Sequence, residues 1–192
     1  MKLYLFLILS IFTTFNSLAQ SNLRLTIEWN STSSRYEVFA LSATSQKNYV
    51  LGKSQISLVL PKSAPDVKLN VLSHVGGLWN NDKFILAPES SSENDYHSVS
   101  SSGGIVNFTA NQGLLLFSFT LADGVCRDGV RLYNNGSDPA STAKGFNNLD
   151  FNNSMVSVGN AQVYNSNVSN SGTKCMDCPV EFSVPKLKKQ SE

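Results

Sequence analysis

Catalysis needs reactive groups held at fixed spacing, and this chain is poor in them. Its 192 residues include two histidines, His74 and His97. A Ser–His–Asp hydrolase of the α/β type carries its nucleophile on a strained Gly-x-Ser-x-Gly turn, and no such string occurs. Carboxylates are more numerous: Glu28, Glu37, Glu89, Glu93, Asp95, Asp123, Asp128, Asp138 and Asp150. Glycosidases work with two of them at a set separation. Here most fall in turns or on outward strand faces, and no pair stands out. The chain therefore reads as a non-enzyme.

Cysteines are the next candidates. Cys175-Met-Asp-Cys178 has zinc-like spacing, but no second ligand pair accompanies it. In an oxidising compartment three cysteines form one bridge and leave one thiol over. Cys126–Cys175 is the favoured pair, with Cys126–Cys178 as the alternative that spacing leaves open. Closing a loop of roughly 50 residues contributes about 4 kcal/mol through chain entropy. Of the metals, calcium suits the donors best. Asp138, Asn147, Asn148, Asp150 and Asn152 lie in one Asn-rich stretch of hard oxygen ligands. Asp138, Asp150 and Asn152 are the expected ligands of such an ion. The stretch lacks EF-hand spacing, and Asx turns account for the composition more simply. No other cofactor is implied.

Ligand recognition would fall to aromatic rings, which offer flat faces to sugars. Trp79, Tyr96 and Tyr133 are the candidates, with Trp79 flanked by Gly76-Gly77 and Asn80-Asn81. Core packing competes with that role, because large aromatics are mostly buried. Trp29 shares a face with Leu23, Leu25 and Ile27, which assigns it to packing.

The elements that must position these residues are strands. Period-two alternation runs through the chain and helical periodicity is almost absent. Leu23, Leu25, Ile27 and Trp29 alternate with Arg24, Thr26 and Glu28. Tyr36, Val38 and Ala40 form a strand expected to be buried on both faces. Ile56, Leu58 and Leu60 lead to Pro61, and Val67, Leu69 and Val71 continue the pattern. Residues 84–87 make a short apolar piece, and 96–101 a weak strand. Residues 114–121 (LLLFSFTL) read as a central strand, and 130–133 as a short one. A long loop covers 134–153, and Met155, Val156 and 161–164 close the domain. About nine short strands with turn chemistry between them predict an all-β, antiparallel β-sandwich of jelly-roll type.

The ends frame this domain. Lys2, the apolar run 3–12 and the small residues Ser17 and Ala19 have the layout of an export signal, with cleavage expected after Ala19. The apolar run is too short to span a bilayer. Residues 20–175 are assigned to the sandwich and 176–192 to a Lys-rich tail. Without Lys2 the 15 basic residues become 14, balancing 14 acidic ones. A net charge near zero gives no electrostatic case for nucleic acid or an anionic membrane.

Three segments together resemble a known family. They are Leu25-Thr-Ile-Glu-Trp29 with Arg35-Tyr-Glu-Val-Phe39; Ala87-Pro-Glu-Ser90 with Asn94-Asp-Tyr96 ahead of Leu114-Leu-Leu-Phe-Ser-Phe119; and Val130-Arg-Leu-Tyr-Asn-Asn135 with Ser137-Asp-Pro139 and Ala161-Gln-Val-Tyr-Asn165. The pattern is similar to the cohesin-like β-sandwich modules of secreted and cell-surface proteins in Bacteroidetes-type bacteria, a fold shared with certain carbohydrate-binding modules. Cys178-Pro-Val-Glu-Phe182 resembles the opening of the C-terminal sorting domains of the type IX export pathway. The chain stops soon after, which makes surface anchoring by that route doubtful. The resemblance implies a nine-stranded jelly roll in a secreted, non-catalytic adhesion module that binds an extracellular protein or a polysaccharide. A secreted jelly-roll carbohydrate-active enzyme and a structural spacer are the competing expectations.

Overall fold

The computed structural model describes residues 22–175. The expected export signal, the tail and Cys178 lie outside them. Eleven strands form: β1 (Leu23–Asn30), β2 (Arg35–Leu41), β3 (Gln46–Pro61), β4 (Asn70–Ser73), β5 (Trp79–Ile85), β6 (Asn94–Ser101), β7 (Gly104–Phe108), β8 (Gly113–Thr120), β9 (Arg131–Leu132), β10 (Ser154–Ser157) and β11 (Tyr164–Asn167). Two three-residue 3-10 turns, Glu89–Ser91 and Val158–Asn160, are the helical elements among the described residues. No helix there is long and apolar enough to cross a membrane.

The strands make a β-sandwich. One sheet runs β11-β1-β2-β8-β4. Its first and last strands in the chain, β1 and β11, pair in parallel, and the rest is antiparallel. The other sheet runs β10-β3-β6-β5, with β7 and β9 also paired to β3. All its pairings are antiparallel. The long β3 organises this second sheet. On one side it carries β6 and then β7, and on the other β9 and then β10. Each couple behaves as one interrupted strand, so eleven segments amount to nine runs.

Alternation builds the core as expected. Leu23, Leu25, Tyr36, Val38, Phe117 and Phe119 from the first sheet meet Ile56, Leu58, Leu60 and Val99 from the second. Tyr36 stacks on Phe119 with centroids 5.0 Å apart, and Trp29 meets it edge-on at 4.8 Å. The Tyr36 hydroxyl donates to the Arg127 carbonyl at 2.8 Å and accepts from the Arg127 N–H at 2.6 Å. The phenol is thus fully satisfied although its body is buried.

Several expectations need correction. β2 is fully buried on one face only, since Glu37 and Phe39 are half-exposed. Val67 lies exposed before β4, which begins at Asn70. The first half of β3 and all of β7 were not expected. Their alternation breaks at Gly52 and Gly103, because the inward side switches there: Ser54 and Ile56 face the core beyond the switch, Leu51 and Val106 before it. Gly103 has φ +92°, and a Cβ there would collide with the carbonyls of Leu51 and Gly52. A side chain at this position would force the β3–β7 ribbon apart.

β6, expected to be weak, is an interior strand between β3 and β5. Pairing of Leu58 with His97 and Leu60 with Asp95 sends both polar residues inward. His97 is fully buried, stacked on Phe84 at 5.3 Å, and its Nδ1 lies 3.1 Å from Asn81 Oδ1. Desolvation pushes the imidazole down from 6.5 to about 4. Asp95 moves the opposite way, raised by the same burial. The signs set a pH dependence. Between pH 6.5 and about 4 the unfolded chain takes up a proton that folded His97 refuses, so this stability is full above 6.5 and falls with pH. At about 1.4 kcal/mol per pH unit the loss reaches about 3 kcal/mol. Asp95 offsets part of it, because the native state holds that proton more tightly. Urea unfolding of the wild type and His97→Gln at several pH values isolates the histidine. The stability difference between them should shrink by this amount on acidification. A difference independent of pH would rule the account out.

Candidate functional site

The long loop expected at 134–153 is an excursion out of an edge strand. The chain leaves β3 at Tyr133, whose N–H still bonds the Ser57 carbonyl, and rejoins it at Ser154, paired with Gln55. Asn153 bridges the gap. Its Oδ1 accepts the Ser57 N–H at 2.7 Å and its Nδ2 donates to the Tyr133 carbonyl at 2.6 Å. The side-chain amide thus stands where a peptide group of a continuous strand would be. Asn135 closes the neck: its Oδ1 accepts the Asn153 N–H and its Nδ2 donates to the Asn153 carbonyl.

Twenty residues of loop stay ordered only if they bury something. This one folds over the outer face of the second sheet and builds a core of its own from Val59, Tyr96, Tyr133, Phe146 and Phe151. Tyr96 meets Phe146, Phe151 and Tyr133 edge-on at 4.9, 6.0 and 6.2 Å. The phenol of Tyr133 reaches the Pro139 carbonyl at 2.8 Å, and burial pushes it up to about 12. Tyr96 and Tyr133 are each 1% exposed. Trp79 is 2% exposed, its indole N–H given to the Val75 carbonyl and its ring 5.1 Å from Phe117. The three aromatics singled out as sugar platforms are therefore packing residues and present no open face.

The calcium candidates are also committed. Asp138 holds Arg131 through two bonds of 2.6 Å and caps the Asn134 N–H at 2.7 Å. This partly buried fork ties β9 to the excursion. Asp150 forms an Asx turn with Asn152, accepting its N–H and its Nδ2. Nowhere among the described residues do three His, Cys, Asp or Glu side chains gather as a metal site would require. The bridge is Cys126–Cys175, with Cα atoms 5.8 Å apart.

A serine and a histidine do meet. Ser118 Oγ lies 3.0 Å from His74 Nε2 and accepts from Arg35 Nε at 2.8 Å. Ser118 is buried beneath those two side chains, so the cluster is a cross-strand polar tie on the first sheet. Other carboxylates are tied too: Glu37 to Asn30, Glu89 to Lys144 and Asp123 to Arg127.

The accessible feature is the outer face of the second sheet where the excursion ends. Along the β3–β6 ladder, Val59 and Tyr96 lie under the loop, and Ser57 and Ser98 form the next buried pair. Then the face opens into a cleft of about 460 Å³ between the returning limb and the sheet. Gln55 and Ser100 make its floor, and Lys53, Ser102, Asp150 and Asn152 its sides. Gln55 Nε2 donates to the carbonyls of Asp150 and Asn152 at 3.2 and 2.8 Å, fixing the wall to the floor. Past the glycine switch the character changes. Val50 pairs with Ile105, and these are 40% and 67% exposed. Val158, in the turn after β10, is 70% exposed, and Val156 packs over Gly52. One side of the molecule thus joins a polar cleft to an apolar strip. Sequence reasoning missed these residues, because the apolar residues of 46–55, Tyr49, Val50 and Leu51, are consecutive and show no alternation to mark a strand.

The sequence matches no family model, and neither curated proteins nor solved structures yield a match.

Proposed function

We propose that this chain is a secreted, non-catalytic binding module that docks an extracellular protein on the outer face of its second sheet. The observation that carries the reading is the cross-strand pair Val50 and Ile105, two branched apolar side chains left in water on the face that also holds a hydrogen-bonding cleft. An apolar centre flanked by polar groups is the anatomy of a protein interface. Gly77 packs against Gly103 and Gly104, which brings the exposed Leu78 to the same end of the sheet. The face is also preorganised. Asn153, Asn135 and the satellite aromatic core hold the cleft wall, so little ordering entropy is lost on docking.

The export signal in the sequence and the disulfide support a location outside the cytoplasm. The nine strand runs in two sheets favour the cohesin-like resemblance. The burial of Trp79, Tyr96 and Tyr133 turns the balance from polysaccharide towards protein, since none of these three rings is open for stacking.

The test is capture of surface and medium proteins from the source organism by the immobilised chain, against an Ile105→Glu/Val50→Asp variant. A charge in the strip should cost at least tenfold in affinity, about 1.4 kcal/mol or more. Equal capture by both proteins defeats the reading. A parallel panel of polysaccharides reports on the competing class: turnover of any polymer would make the chain an enzyme instead.

A further inference from the structure

The edges of the two sheets are not protected alike. β5 is broken by a bulge between Asn81 and Lys83, and its first amide, the Trp79 N–H, is taken by Ser73 Oγ. The Leu69 amide just ahead of β4 is taken by Asn81 Oδ1. β10 is covered by the bridge of Val156 to Gln162. β7 carries none of the devices that blunt an edge. Its five residues, GIVNF, include no charge and no proline. β3 is its one partner strand among the described residues, and no backbone bond from 104–108 runs to a turn or loop. We propose that this open edge pairs with the β7 edge of a second copy of the chain, giving an antiparallel two-fold dimer.

Strand geometry says which groups the edge presents. Ser57 faces outward from β3, and its N–H and C=O point away from β6, to Asn153 Oδ1 and the Tyr133 N–H. Side-chain side and backbone direction alternate together along one strand. Val50 also faces outward on β3, so its backbone groups turn away from β7. Its cross-strand partner Ile105 then sits in a non-hydrogen-bonded pair, with its own N–H and C=O turned away from β3. Asn107, two residues on, points the same way. Both residues are exposed. The edge therefore offers two donors and two acceptors to the outside.

The sequence of β7 suits its own copy. A two-fold axis at Val106 sets Ile105 opposite Asn107 of the second copy, and the reverse, so each free N–H meets a free carbonyl. Gly104 falls opposite Phe108 of the second copy, where the smallest residue meets the largest. The two Val106 residues face each other, and β-branched side chains suit such a pair. No like charges oppose across the join, and the whole chain has a formal net charge of only +1. An isologous contact of this kind closes on itself. It also joins the second sheets of two copies into one. The pairing uses backbone groups and stands without the docking reading, although it displays two docking strips side by side.

The test is sedimentation of the folded chain over a range of concentrations, with amide exchange followed residue by residue by NMR. A dimer population should grow with concentration. Protection should grow with it at Ile105 and Asn107, whereas Gly104 and Val106, bonded to β3, are protected at every concentration. Ile105→Pro removes an edge N–H that β3 does not use and should weaken dimerisation at least tenfold. Ile105→Lys leaves the backbone unaltered, brings two like charges near the axis, and should weaken it likewise. Val50→Asp lies off the edge and should dimerise as the wild type does. A chain that captures no extracellular protein and still dimerises keeps this inference and loses the docking reading. A monomer at all concentrations up to about 1 mM, exchange at Ile105 and Asn107 that is independent of concentration, or dimerisation unchanged in both Ile105 variants overturns the proposal.

Discussion

Serine at both Cys126 and Cys175 should lower the unfolding free energy by about 4 kcal/mol. The bridge spans 49 positions, and the stabilisation arises chiefly in the unfolded chain, whose entropy a cross-link of that length reduces. The folded state adds a local reason. The bridge fastens a strap whose backbone is already paired, Gly129 N–H to the Thr173 carbonyl and Thr173 N–H to the Val130 carbonyl. Asp128 accepts the Cys175 N–H at 2.7 Å. Cys126 Sγ sits 3.5 Å from the Tyr36 hydroxyl, so the strap is stitched to the core at one of its best-packed rings. Urea unfolding of the oxidised wild type, Cys175→Ser and the double variant makes the measurement. Cys175→Ser alone leaves Cys126 and Cys178 free to pair, so it should lose less than the double variant if that second connectivity forms. Equal midpoints for wild type and double variant would show that the bridge contributes nothing.

Alanine at Asn153 should cost about 3 kcal/mol, a large effect for one side chain with no charge. The substitution orphans the buried Ser57 N–H and removes one of two donors from the Tyr133 carbonyl, the other being Asn167 Nδ2. Each unsatisfied buried group costs about 1–3 kcal/mol. Aspartate should do no better, because it keeps the acceptor for Ser57 but turns a second acceptor towards the Tyr133 carbonyl. Denaturant unfolding gives the magnitude, and hydrogen exchange gives the place: protection should fall first across 134–153. A variant within about 0.5 kcal/mol of wild type would mean that the satellite aromatic core holds the excursion without its neck. The cleft depends on the same anchor, since Gln55 grips carbonyls on the limb that Asn153 terminates.

The legible parts of this molecule are those where one face of a strand is apolar and the other is not. β1 and the second half of β3 alternate, and their inward sides were readable from Leu23, Leu25, Ile56 and Leu58. That Cys126 enters a bridge was expected from the cysteine count, but spacing left Cys175 and Cys178 open as its partner, and the fold brings Cys175 to it. The first half of β3 was not legible, since its apolar residues Tyr49, Val50 and Leu51 are consecutive and Gly52 breaks the period. Nor was the burial of Trp79, Tyr96 and Tyr133. A Trp beside two glycines and a Tyr beside an Asn-rich loop look exposed until the loop is seen to fold back over the sheet.

Residue order by itself determined that this chain forms strands and that they pack as a two-sheet sandwich around alternating aliphatics. Side-chain period is a local property, and a stretch of five or six residues is enough to declare it. Only the tertiary structure decided which polar groups stay free. Asp138 is spent on Arg131 and Asn153 on the gap in a strand, whereas Asn70, Asn80 and the strip around Ile105 are left to solvent. Availability is set by partners far away in the chain, and nothing in the local order of residues names them.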